Sequence, residues 1–172
     1  MFIKISYKIG LFLLLFPTMA MAEWDVITHT DTSNNTQTQV AYTENKEGYS
    51  LEIYRDSVGA IRSRFSLNSA LDIFVKHSCP TYQIDTRLLD NRSINDAPCI
   101  TDLAWSEFIL GYINNKNVTS GRLNALMNGI TITFRFMLDN GSYKETQFSL
   151  SGSKRATLAV IGNDITIVPE PN

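Results

Sequence analysis

After residue 22 the sequence holds no apolar run near the roughly 20 residues that cross a bilayer. Its longest, Phe108-Ile109-Leu110-Gly111-Tyr112-Ile113, is the size of a strand. A basic excess is also missing. Lys4 and Lys8 fall in the first 22 residues, which hold no acid, so 13 basic and 17 acidic residues remain beyond them, a net charge near −4. That excludes the basic footprint of a nucleic-acid or anionic-membrane binder. Thiol and imidazole side chains are scarce: two cysteines, Cys79 and Cys99, and two histidines, His29 and His77. A zinc site needs three or four ligands; His77, Cys79 and Cys99 could be proposed, but a disulfide would consume both thiolates and no fixed-spacing motif is present. Walker, GxGxxG, HExxH, EF-hand and nucleophile-elbow motifs are all absent. The expectation is therefore no cofactor, no metal, no nucleic-acid partner and no membrane span in the mature protein.

What is present begins at the N-terminus. Lys4 and Lys8 precede Leu11-Phe12-Leu13-Leu14-Leu15-Phe16, Pro17 breaks the run, and Ala20-Met21-Ala22 supplies small residues before Glu23. This basic, apolar, small-residue order predicts a Sec signal peptide over residues 1–22, cleaved after Ala22. Glu23, not Cys, would then come first, which argues against a lipoprotein anchor. Periplasmic or secreted localisation follows, and a bacterial source is favoured. In an oxidising compartment Cys79 and Cys99 read as one disulfide; a redox pair would stand two residues apart.

Residues 23–168 read as a single β-rich domain of a size to bury one core, with residues 169–172 as a C-terminal tail. Period-two alternation dominates. Ile130, Ile132, Phe134, Phe136 and Leu138 alternate with Thr131, Thr133, Arg135 and Met137, and Asn140-Gly141 supplies a hairpin turn before residues 143–150. Tyr49, Leu51 and Ile53 alternate with Glu52 and Tyr54; Ile61, Phe65 and Leu67 with Arg62 and Arg64; Leu71, Ile73 and Val75 with Asp72, Phe74 and Lys76. Residues 24–26 and 38–42 suit edge strands, 105–113 a central strand and 165–168 a closing strand. Two short helices interrupt the pattern. One covers 122–127, capped by Thr119 or Ser120 and ended by Asn128-Gly129; the other covers 154–161 and is stopped by Gly162-Asn163. The fold class is mainly β: a single antiparallel β-sandwich or flattened barrel with two short helices.

Candidate chemistry is sparse. Ser151-Gly152-Ser153-Lys154 matches an S-x-x-K string, but Ser-Asp-Asn and Lys-Thr-Gly are absent, so Ser151 or Ser153 reads as a helix cap. Asp85, Asp90, Asp96, Asp102 and Glu107 read as loop charges. Alternation puts Arg62 and Arg64 on one outward sheet face and Arg135 on another. Were those strands neighbours, the three would form a basic stripe beside Tyr54, able to meet an acidic glycan, lipid head group or acidic partner. Tyr54, Arg62, Arg64 and Arg135 are thus the candidate binding face.

Trp24 near the mature start, Cys79 and Cys99 joined by a polar loop, Leu126-Met127-Asn128-Gly129, the 130–136 strand and Phe148-Ser149-Leu150-Ser151-Gly152 resemble the invasion-associated locus B family of exported bacterial proteins. The likeness spans residues 79–162. Ser153 stands where the family has an aromatic residue, and Thr28 and Thr30 stand where further cysteines are common. The resemblance implies a small exported β-sandwich without cofactor, linked in some bacteria to host-cell invasion or survival, with no catalytic residue to carry over. The expected function is a non-enzymatic binding protein whose partner is a macromolecule of the envelope or host surface. The alternatives are a small exported hydrolase or carbohydrate-active enzyme using Asp/Glu or Ser151 and Lys154, and a structural envelope-stability factor.

Overall fold

Alternating apolar and polar residues cannot satisfy a helix, but they give a strand one dry and one wet face. In the computed structural model, which describes residues 23–33, 35–68, 72–76, 78–86 and 99–170, that rule builds eleven strands and two helices among the described residues. In chain order they are β1 (Asp25–Asp31), β2 (Thr36–Glu44), β3 (Ser50–Arg55), β4 (Ala60–Ser66), β5 (Thr81–Ile84), β6 (Cys99–Thr101), β7 (Trp105–Tyr112), β8 (Asn117–Thr119), α1 (Gly121–Asn128), β9 (Thr131–Met137), β10 (Tyr143–Ser149), α2 (Ser153–Ile161) and β11 (Thr166–Val168).

An antiparallel six-stranded sheet runs β1-β2-β3-β4-β7-β6, and a three-stranded sheet runs β10-β9-β5. Phe65 of β4 stacks on Phe134 of β9 at 4.4 Å between ring centroids, and Phe108 of β7 meets Tyr82 of β5 edge-on at 5.3 Å. The two sheets therefore pack face to face across an aromatic layer. Of the two architectures expected, the sandwich is observed; no barrel closes among the described residues, because the large sheet ends at β1 and β6. A two-stranded parallel pair, β8 with β11, completes the sheets.

Cys79 lies just before β5 in one sheet and Cys99 opens β6 in the other, and they form the expected disulfide with Cα atoms 6.2 Å apart. The bond is thus a staple between the two layers. Both thiols are consumed, which removes them as zinc ligands. Residues 1–22, His77, Asp90 and Asp96 lie outside the described residues.

Several local expectations are corrected. Ile130 precedes β9 and is 76% exposed; its N–H is held by the Asp85 carboxylate at 2.9 Å. Asp85 binds the Thr131 N–H as well, so it fixes the start of β9. Of the 71–76 alternation, Phe74 is the residue that enters the core, bridging Leu138, and residues 72–76 belong to no regular strand. The β9–β10 hairpin uses positive φ at Gly141 and not at Asn140, whose side chain instead accepts the Ser142 N–H. Ser120 caps α1 as one of the two expected residues, its Oγ accepting the Leu123 N–H at 3.0 Å. Gly129 ends α1 with φ −78°, so handedness does not explain it. Space does: a Cβ there would lie 2.7 Å from Ile84 Cγ2 and 2.9 Å from the Ala125 carbonyl oxygen. Gly152, with φ 89°, caps α2 in place of Ser151 or Ser153. The fully buried Ser153 hydroxyl donates to the Leu126 carbonyl, which withdraws it from any S-x-x-K chemistry.

Candidate functional site

The residues that point away from the aromatic layer on β3, β4 and β7 are not a simple solvated face. Register places Glu52 opposite Arg64, and Arg64 opposite Glu107, in one row across three strands. Opposite charges directly across a strand pair attract. Tyr54 sits opposite Arg62 in the next row. A β-bulge between Ile61 and Arg62 shifts the register there. The preceding turn, 56–59, closes with Gly59 at φ 85° and with Asp56 Oδ1 accepting the Val58 and Ala60 N–H groups. This leaves Asp56 Oδ2 free to take Arg62 Nε at 2.7 Å.

Glu107 is the centre of the arrangement, with 6% of its side chain exposed. Arg62 Nη1 donates to its Oε1 at 2.7 Å, and Arg64 Nη2 to its Oε2 at 2.9 Å. The Tyr54 hydroxyl donates to the same Oε2 and accepts from Arg64 Nη2 at 3.1 Å. Burial pushes the Glu107 carboxyl up, but the hydrogen bonds from Tyr54, Arg64 and Arg62 outweigh it and hold its pKa below the ordinary value. Burial and the adjoining carboxylate raise the Tyr54 phenol far above its usual range, so it stays a neutral donor. Asp56 is likewise held low: desolvation opposes the charge, and the Arg62 guanidinium with two backbone N–H groups more than offsets it.

Beside this network lies a cleft of about 380 Å³. Its walls include His29 and Asp31 of β1, Glu52 and Tyr54 of β3, Arg64 of β4 and Trp105 of β7. The Arg64 guanidinium lies 4.9 Å from the Trp105 ring and 5.4 Å from the Tyr54 ring, within cation–π range of both. His29 Nε2 is 2.8 Å from Glu52 Oε1; the imidazole is half-exposed, whereas the Glu52 side chain is 9% exposed. A larger hollow of about 740 Å³ borders the β7–β8 hairpin, where Asn114, Asn115, Asn117, Arg122 and Glu170 line it. Its lining has one aromatic ring, Tyr112, and one residue of each charge, Arg122 and Glu170.

Tyr54, Arg62 and Arg64 therefore meet as expected from alternation, but Arg135 does not join them. It lies on β9 in the other sheet, where it donates to Glu145 at 2.6 Å and to Gln83 at 3.2 Å. Lys144, also on that sheet, is engaged by Asp72 at 2.9 Å. Nor is the face around Arg62 and Arg64 a basic stripe. Asp25, Asp31, Glu44, Glu52 and Glu107 point to the same side of the strands, with Asp56 at their end, against those two guanidinium groups.

Sequence reasoning missed Glu107, Glu52, His29 and Trp105 as one unit. Glu107 did leave a signal, because it is a charge inside the most apolar strand, in phase with Trp105 and Ile109. Asp102 is a loop carboxylate, as expected, accepting the Leu103 N–H. The described residues bring together no set of three metal-ligating side chains, and none of their helices is long and apolar enough to cross a membrane. Comparison with known proteins returns no matching family model, curated protein or solved structure.

Proposed function

We propose that this chain is an exported binding protein that engages a partner at the bacterial envelope or host surface through the cleft on its six-stranded sheet. The observation that carries this reading is the pre-set cleft wall. Glu107, in the adjoining network, fixes Arg64 and Tyr54 of that wall, and Arg64 in turn lies over Trp105. Side chains already held in place lose little conformational freedom when a ligand arrives, so more of the contact energy becomes affinity. Export is supported by the Cys79–Cys99 disulfide, a bond that persists in oxidising compartments, and by the signal-like order of residues 1–22. The resemblance to the invasion-associated locus B family supports a host-facing role.

The test is capture of partners by the immobilised protein from periplasmic extract and from host membranes, comparing wild type with Trp105→Ala. Saturable capture that Trp105→Ala removes is the expected result. Silence in both extracts, or capture indifferent to Trp105, overturns the reading. One observation favours a hydrolase instead: the His29–Glu52 pair, a carboxylate-oriented imidazole open to solvent. Hydrolysis of an ester or glycoside that His29→Gln abolishes would establish that alternative.

A further inference from the structure

The charge balance of the cleft points to a class of ligand, an inference that rests on the binding reading above. Asp31 and Glu52 line the cleft and Asp56 and Glu107 belong to the network beside it, four carboxylates against the guanidinium groups of Arg62 and Arg64. The Arg62 guanidinium is bonded to Asp56 and Glu107, and that of Arg64, which lines the cleft opposite Glu52, is bonded to Glu107. Glu52 remains as a nearly buried carboxylate in the cleft wall, with His29 bonded to Oε1. Asp31, exposed and with its Oδ1 accepting from Ser33, adds a second negative charge at the rim. An anionic ligand would enter against this field, whereas a cation is drawn in by it.

The walls add shape. Val40, Tyr54 and Trp105 present apolar and aromatic surface beside the carboxylates. Arg64 already displays the mode of recognition this wall supports: a planar cation against two rings, its charge answered by a carboxylate. A charged nitrogen on a short hydrocarbon body satisfies both halves of the surface. We infer that the cleft binds a small organic cation, an amine or guanidinium on a short aliphatic chain, with Glu52 as its principal counter-charge and Asp31 as a rim charge.

The chain provides its own reporter. Of its two tryptophans, Trp24 is buried and its indole N–H is held by the Ser149 carbonyl at 2.9 Å, while Trp105 borders the cleft. In a proton–nitrogen correlation spectrum the Trp105 indole signal reads the cleft, and the Trp24 signal serves as an internal reference for the fold. Titration with putrescine represents a free diamine; titration with Nα-acetyl-lysine N-methylamide represents a protein side chain. Citrate and glucose serve as anionic and neutral controls at constant ionic strength. The expected result is a saturable shift of Trp105 alone with one or both amines, and the stronger of the two identifies the source. Glu52→Gln should weaken it about tenfold or more, the loss of a buried charge partner. Asp31→Asn, an exposed change that leaves the fold intact, should weaken it about two- to fivefold. No response to either amine, or affinities unchanged in both variants, overturns the inference. A Trp105 shift with citrate or glucose in place of the amines also overturns it, while leaving the binding reading standing. Failure of the capture experiment, by contrast, strikes the binding reading itself.

Discussion

Strands β3, β4 and β7 carry two unlike surfaces, one on each side. Toward the second sheet they present Leu51, Ile53, Ile61, Phe65, Phe108 and Leu110, all buried. Toward solvent they present Glu52, Tyr54, Arg62, Arg64, Trp105 and Glu107. The inner surface is held by apolar burial and ring contacts, which are non-directional and tolerate small adjustments. The outer surface is held by directed bonds that converge on one carboxylate, so its stability depends on every partner being present. The same backbone alternation produces both, which shows that an outward residue need not be a solvated one. Glu107 and Glu52 point outward and are nearly as buried as the core.

This contrast can be broken at graded cost. The largest loss should follow Phe65→Ala. Phe65 is fully buried and contacts the rings of Tyr49, Phe74, Phe134, Phe136 and Phe148. Truncation should lower the free energy of unfolding by about 4 kcal/mol, read from the urea midpoint. Next comes the staple between the layers. Replacing Cys79 and Cys99 together by Ser should destabilise by about 3 kcal/mol in the chain-entropy picture, checked by the same denaturation curve with wild type under non-reducing conditions.

On the outer surface, Glu107→Gln should cost about 2–3 kcal/mol, because it leaves two guanidinium groups without their shared carboxylate. The value sits below that for a fully buried pair because 34% of the Arg64 side chain is open to water. The variant also tests the pH dependence. Glu107, Asp56 and Asp72 all have folded pKa values below their ordinary ones. Their contribution is fully present above the unfolded carboxylate range and is lost as pH falls through the folded values. Stability should therefore be level above about pH 5 and decline in acid, with a shallower decline in Glu107→Gln. The smallest effect should have the opposite sign. The hydroxyls of Thr43 and Thr157 are buried with no hydrogen-bond partner among the described residues. Thr157→Val should stabilise by about 1 kcal/mol, seen as a rise in melting temperature.

How far the sequence foretold all this depends on the range of the interaction. Period two in Ile132, Phe134 and Phe136, and in Leu51 and Ile53, named the core residues correctly, because burial follows from the pleat of a single strand. Ser120 was recognisable as a cap because its bond spans three residues. Ile130 and Phe74 broke the alternation where a strand ended or bridged irregularly, and the reasons lay in distant partners, Asp85 and Leu138. The candidate face was half legible. Tyr54, Arg62 and Arg64 share a side on two adjacent strands, but β7, separated from β4 by 38 residues of chain, supplies Glu107 and Trp105.

By itself, then, the sequence determined most strands and both helices, the inward residues of the strands that alternate regularly, the pairing of its only two cysteines and an acidic net charge. These follow from local geometry and composition. Only the tertiary structure decided that the disulfide joins two sheets, that Arg135 stands apart from Arg62 and Arg64, and that these last two answer carboxylates. Electrostatic character is a sum over neighbours, and strand order, which no local pattern encodes, chooses the neighbours.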